Sequence, residues 1–196
     1  MFLVAGLGNP GEEYEFSPHN LGFMVVDRLA ARHGFRVTRR DSRALVGLGE
    51  IDGQEVMLAK PQTYMNLSGT SLAPLMEKHG IEPGRLIVVY DELDLSWMAV
   101  KIKLKGSAAG HNGMKSVIQS LKTSEIVRMR LGIHPGHPLK SGADFVLAPV
   151  KRSQRKELEE LVDYAADGVR SIIAEGVEKA MTRFNRRAPG LNKEEA

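Results

Sequence analysis

Two short, unbroken apolar runs set the first limit on this chain. Phe2–Leu7 (FLVAGL) and Leu86–Tyr90 (LIVVY) have strand length and no polar face, so each reads as a strand buried in a core. Between and after them the period changes. From His19 to His33 the residues Leu21, Met24, Val25 and Leu29 share one helical face. Ser17 suits its N-cap, Pro18 its first position and Gly34 its stop. Asn112–Leu121 reads as a helix, Ile126–Ile133 as a strand, and Ser153–Arg183 as helical with a break near Gly176. Asp52-Gly53, between Arg43–Ile51 and Gln54–Lys60, is a strong hairpin signal. Pro74 allows the helix over Ser71–His79 only if it starts late. Interleaved strands and helices with one obligatory hairpin predict an α/β class. The expected form is a single domain over 1–185, with a twisted mixed sheet flanked by helices and with C-terminal helices. The end, RRAPGLNKEEA (186–196), reads as a loose, flexible tail.

At 196 residues the chain is long enough to bury a sizeable core. No apolar stretch approaches the roughly 20 residues needed to span a bilayer. The first residues lack a basic n-region and a cleavage site, so no signal peptide is expected. The absence of cysteine excludes disulfides, thiolate metal sites and a cysteine nucleophile. A cytoplasmic location without membrane contact follows as the expectation.

The net charge is only +3, but it is unevenly placed. Lys101, Lys103, Lys105, Lys115, Lys122, Arg128 and Arg130 stand against a single acid, Glu125, between positions 101 and 130. Such a patch suits a phosphate-rich partner, and equally a solvated basic face. Val100–Lys105 alternates, which predicts Val100, Ile102 and Leu104 inward and the lysines outward.

The opening loop, LVAGLGNPGEEY, contains Gly6, Gly8 and Gly11 in the order of a dinucleotide fingerprint. That motif needs its third glycine to open a helix, and Pro10 and Pro18 leave no room for one. A stiff turn at a strand's carboxyl end fits better, and the residue it presents is Asn9, whose amide can both donate and accept. Three further loops resemble it. SPHN puts His19 at a helix start, where the positive end of the dipole disfavours imidazolium and leaves a ring able to take a proton. VVYDELD puts Asp91 just past a buried strand, placed to receive an imidazole N–H. YMNLSG offers Asn66, and AAGHNGMKS offers Asn112. Each has a plainer reading as a cap or turn residue. No serine elbow, P-loop or H-E-x-x-H motif is present. His134 and His137 have metal-ligand spacing without a clear carboxylate partner. Trp97 could stack on a base or pack in the core.

Assembled, these loops resemble bacterial-type peptidyl-tRNA hydrolases. The matching stretches are GLGNPGEEYEFSPHNLGFMVVDRLA, KPQTYMNLSG, DELDL, GSAAGHNGMKSVIQSL and RMRLGI, in the family's order, over most of residues 2–147. The resemblance implies a single α/β domain that cleaves the ester joining a peptide to the terminal ribose of tRNA, with no metal or cofactor. It implies His19 as the base that activates water and Asp91 as its orienting partner. Asn9 and Asn66 would place the peptide and scissile carbonyl, Asn112 the water or substrate, and Tyr14 would lie beside the peptide. Lys101, Lys103 and Arg130 match residues that grip tRNA phosphate, and His111 belongs to the same glycine-rich loop. A monomer is expected. Departures are Ser96-Trp97-Met98 where a Pro-x-Gly turn is usual, Ala109 in a usual Gly-Gly pair, the loop after Ile133, and Pro74. A second reading is a non-catalytic RNA-binding relative of splicing-factor type; intact His19 and Asp91 argue against it.

Overall fold

The computed structural model describes residues 1–189. Seven strands form one sheet: β1 (Phe2–Gly6), β2 (Arg39–Asp41), β3 (Ala44–Ile51), β4 (Gln54–Pro61), β5 (Leu86–Ser96), β6 (Val100–Lys103) and β7 (Val127–His134). Their order is β2-β3-β4-β1-β5-β7-β6. The inner four are parallel, and β2, β3 and β6 add antiparallel edges. The sheet is therefore mixed, as the Asp52-Gly53 hairpin requires.

The helices are α1 (Leu21–His33), α2 (Ser68–His79), α3 (Asn112–Leu121), α4 (Gly142–Leu147), α5 (Arg155–Glu175) and α6 (Val177–Phe184). Because side chains alternate along a strand, β1 feeds two cores. Val4 packs with α1, α5 and α6 on one face. Leu3 and Ala5 pack with α2 and α3 on the other. That is why the FLVAGL run needs no polar face.

The glycines of the opening loop serve close packing. A Cβ on Gly6 would lie 2.0 Å from the Gly22 carbonyl oxygen, and one on Gly22 would lie 2.3 Å from the backbone of Leu7 and Val89. The start of α1 thus rests directly on the carboxyl ends of β1 and β5, which only paired glycines allow.

Several elements depart from the sequence pattern. Residues Pro18–Asn20 form a separate 3-10 turn, and α1 begins at Leu21. Ser17 does not cap it; its hydroxyl donates to the Tyr14 carbonyl at 2.9 Å. Helix α2 begins at Ser68, so Pro74 lies inside it. Pro74 and Thr70 are both exposed, which leaves the unbonded Thr70 carbonyl open to water. Strand β5 overruns its apolar segment because Asp91 and Glu92 still pair with Leu131 and Gly132 of β7. Leu104, expected inward, is 46% exposed because β6 ends at Lys103.

Met98 takes the place of the usual turn glycine. It adopts φ 72° and is fully buried, so its side chain anchors in the core a backbone shape that glycine would adopt freely. Trp97 is turn and core packing, its indole donating to Glu157 at 2.5 Å. The tail predicted from 186 is also corrected in part. Arg186 accepts from Val100 at 3.0 Å, Arg187 bridges Ala99, and Ala188 is buried and donates to Met98. The rest of that prediction, from 190 on, lies outside the described residues.

Candidate active site

The carboxyl ends of β1 and β5 open into a cleft of about 610 Å³. His19, Asp91, Asn9, Tyr14, Asn66 and Asn112 all line it, although they come from four separate segments. Asn9 follows β1, and Tyr14 and His19 lie in turns before α1. Asn66 sits in the Met65–Leu67 turn, Asp91 in β5 and Asn112 at the start of α3.

Asp91 is 1% exposed and stands at the centre. His19 Nδ1 donates to it at 2.8 Å, and His111 Nε2 donates from the other side at 2.9 Å. The His111 tautomer is set by its second nitrogen. His111 Nδ1 accepts the Met114 N–H at 3.1 Å and caps α3, so the ring proton must be on Nε2, facing Asp91. Burial works to raise the Asp91 pKa. The electrostatic attraction and hydrogen bond of His111, with those of His19, outweigh it and hold the carboxyl well below the usual carboxylate range. The ionised carboxylate in turn keeps the His19 proton on Nδ1 and leaves Nε2 with a free lone pair.

His19, Asp91 and His111 bring ligand-type atoms within 4.8 Å of one another, the one such group among the described residues. Their atoms are spent on each other. A metal would need the lone pair of His111 Nε2, which carries the proton that the Met114 N–H directs there. The set fits a hydrogen-bonded brace rather than a coordination sphere. His134 and His137 gain no carboxylate: His134 accepts from Gly136, and His137 bonds the Pro138 carbonyl.

Asn9 is locked as firmly. Its backbone exchanges hydrogen bonds with the Asn20 side chain at 2.8 and 3.0 Å. Its Oδ1 accepts the Met65 N–H at 2.7 Å, so Nδ2 is the group left to donate into the cleft. The same bond ties the Met65–Leu67 turn, and with it Asn66, to the opening loop. Asn20 and the bracing role of His111 carry no local sequence signal, since their partners Asn9 and Asp91 lie 11 and 20 positions away. Leu93, Val146 and Leu147 supply an apolar wall from β5 and α4.

The basic residues lie elsewhere. Lys101 pairs with Arg130, and Lys103 with Arg128, across the β6–β7 edge. All four share one face, but they are not equivalent. Arg128 is 1% exposed and donates to the carbonyls of Ile126, Ser107 and Ser124, so it ties loops together. Arg130 is 9% exposed with Nε unpartnered. Its charge, followed by partial burial, lowers the Lys103 pKa. Lys101 is exposed.

An imidazole braced by a carboxylate, beside fixed amide donors, is equipment suited to hydrolysis. The comparisons give that class its family. The peptidyl-tRNA hydrolase family model matches residues 3–193. A peptidyl-tRNA hydrolase of Solibacter usitatus is 78% identical over the whole of both chains. One from Carboxydothermus hydrogenoformans is 49% identical, over 95% of this chain and 99% of that one. The crystal structure of the Acinetobacter baumannii peptidyl-tRNA hydrolase superposes with a TM-score of 0.88 at 32% identity, covering 96% of each chain. The chain belongs to the peptidyl-tRNA hydrolase family.

Proposed function

We propose that this chain hydrolyses the ester between the peptide and the terminal ribose of peptidyl-tRNA, with His19 Nε2 taking a proton from the attacking water. The observation that carries the mechanism is the His19–Asp91 bond of 2.8 Å. It fixes the ring orientation and tautomer and aims the free nitrogen at the cleft. The tetrahedral oxyanion is stabilised by amide donors, Asn9 Nδ2 first, since its oxygen is already committed to Met65. The proton collected by His19 then passes to the departing ribose oxygen. Asn66 and Asn112 hold peptide backbone and water, and Tyr14 flanks the peptide. No step in this sequence calls on a metal or cofactor.

Lys101, Lys103 and Arg130 receive tRNA phosphate. Their contacts ignore sequence, as an enzyme for many tRNAs requires. No described helix is long and apolar enough to cross a membrane. The reading assigns the chain to the cytoplasm, where it recycles tRNA from stalled translation as a monomer.

Release of peptide from an N-acetylated aminoacyl-tRNA tests the base. His19→Ala is expected to lower kcat by about 10²–10⁴-fold while leaving tRNA affinity within a factor of two. Full activity in that variant would overturn the assignment.

A further inference from the structure

A second hollow, of about 540 Å³, adjoins the cleft at the opposite edge of the sheet from the lysines. Tyr64 lines both depressions, which makes them neighbours. The hollow has apolar walls in Pro10, Tyr64 and Leu67, two cations in Arg40 and Arg43, and no carboxylate in its lining. Tyr64 is 67% and Leu67 42% exposed, so both present apolar surface to solvent. Thr63, in the floor, is buried with its hydroxyl unpartnered. Arg40 has no hydrogen-bond or ion-pair partner among the described residues, whereas Arg43 is held at one end by Thr70, at 2.6 Å.

The backbone that presents these arginines is strained and over-determined. Ser42 and Arg43 form the two-residue turn between β2 and β3 with φ 48° and 61°, a type I′ shape that favours Asn and Gly. Four bonds hold it. The Ser42 hydroxyl donates to Asp41, and the Ser71 hydroxyl to the Ser42 carbonyl at 2.8 Å. The Gln62 N–H donates to the Arg43 carbonyl at 2.8 Å, and Arg43 itself reaches Thr70. Strain kept in place by its surroundings marks a position with a task beyond folding.

The topology says which half of the substrate passes here. The ester lies at the ends of β1 and β5, and the phosphate-binding lysines lie on β6, two places beyond β5. The tRNA leaves toward that edge, so the peptide leaves toward β4, β3 and β2. From β1 to β3 is two strand spacings, about 10 Å, the reach of about three extended residues. We propose that the hollow is a peptide subsite that takes an acidic side chain, two to four residues from the ester. The inference rests on the hydrolase reading given above and adds a charge preference to it.

The test compares N-acetylated oligopeptidyl-tRNAs that differ only in Glu or Gln at the second, third or fourth residue from the ester. The Gln substrate is the internal reference. The wild type is expected to favour Glu about tenfold in kcat/KM at one of these positions, through a charge-assisted bond to arginine. Arg40→Gln combined with Arg43→Gln should bring the ratio to near one, and a melting curve matched to wild type shows that the turn still folds. A wild-type ratio of one at all three positions overturns the proposal. So does a preference that survives in the variant. Weaker binding of deacylated tRNA by the variant, with a shallower salt dependence, assigns the arginines to RNA instead and also overturns it. A binding arm uses the same peptides joined by an amide to adenosine. If Glu binds about tenfold tighter there while no peptidyl-tRNA is cleaved, the hollow stands and the hydrolase reading falls.

Discussion

Two aspartates in this molecule hold histidines, and they serve different ends. Asp91 takes His19 at 2.8 Å and His111 at 2.9 Å. Asp41, at the end of β2, takes His79 Nε2 at 2.9 Å, Lys78 at 3.1 Å and the Ser42 hydroxyl at 3.0 Å. Both carboxyls are held below the usual range, Asp91 by its histidines against burial, Asp41 by the His79 hydrogen bond first and its other donors after it, to about 2. The bonds are alike in length, so a histidine–carboxylate contact is not in itself a catalytic sign. What differs is the second nitrogen. His19 turns its Nε2 into a cleft furnished with Asn9 and Asn112, whereas His79 closes helix α2 and fastens it to the β2–β3 turn. In the proposed mechanism the first pair orients a base; the second staples a turn.

The largest effect that would break this contrast is at Asp91. Asp91→Asn removes the charge that holds the His19 tautomer, and an amide cannot accept from both rings without presenting N–H to one of them. A loss of about 10³-fold in kcat with KM little changed is expected in steady-state peptide release. A loss of under tenfold would place Asp91 with Asp41, as a structural anchor. Asn9→Asp comes next. It preserves the acceptor for the Met65 N–H and replaces the cleft-facing donor by an acceptor, so kcat should fall about 10²-fold while the melting temperature moves little.

The contrast also explains what was legible in the chain. The α/β class, the hairpin, both buried strands and the break at Gly176 follow from local period and turn chemistry, and the structure contains them. Asn9, His19, Asn66, Asp91 and Asn112 were each visible as polar residues beside glycines or strand ends, and the structure brings them into one cleft. Their convergence could not be read locally, because the His19–Asp91 contact spans 72 positions and depends on the Gly6–Gly22 approach. The same limit hid Asn20, whose carboxamide braces Asn9 from inside a helical pattern. The basic patch was visible as composition, but Arg128 points its guanidinium at three carbonyls, and no sequence period distinguishes that from a solvent-facing charge. Strand and helix ends slipped where tertiary pairing, not residue preference, decided them: β5 runs on to Ser96, and α2 starts ahead of Pro74.

Asp41 gives a smaller effect of the opposite kind. Asp41→Asn should lower stability by about 1–2 kcal/mol near neutral pH after allowance for solvent screening, or roughly 2–6 °C in Tm. Its kcat on a short, uncharged substrate should stay within twofold of wild type, since the staple lies outside the cleft. The pH dependence has a definite sign. The folded pKa of about 2 lies below the unfolded value near 4, so the contribution is complete above that unfolded value. It fades as pH falls from about 4 to about 2. Urea unfolding across that window should therefore show a steeper loss of stability with acid in wild type than in Asp41→Asn, the two curves converging toward pH 2. Parallel curves would mean that Asp41 carries no linked proton and that the turn is held by the Ser71, Gln62 and Thr70 bonds. The preference for an acidic peptide residue should weaken in the same variant, because the turn that presents Arg43 is the structure this carboxylate secures.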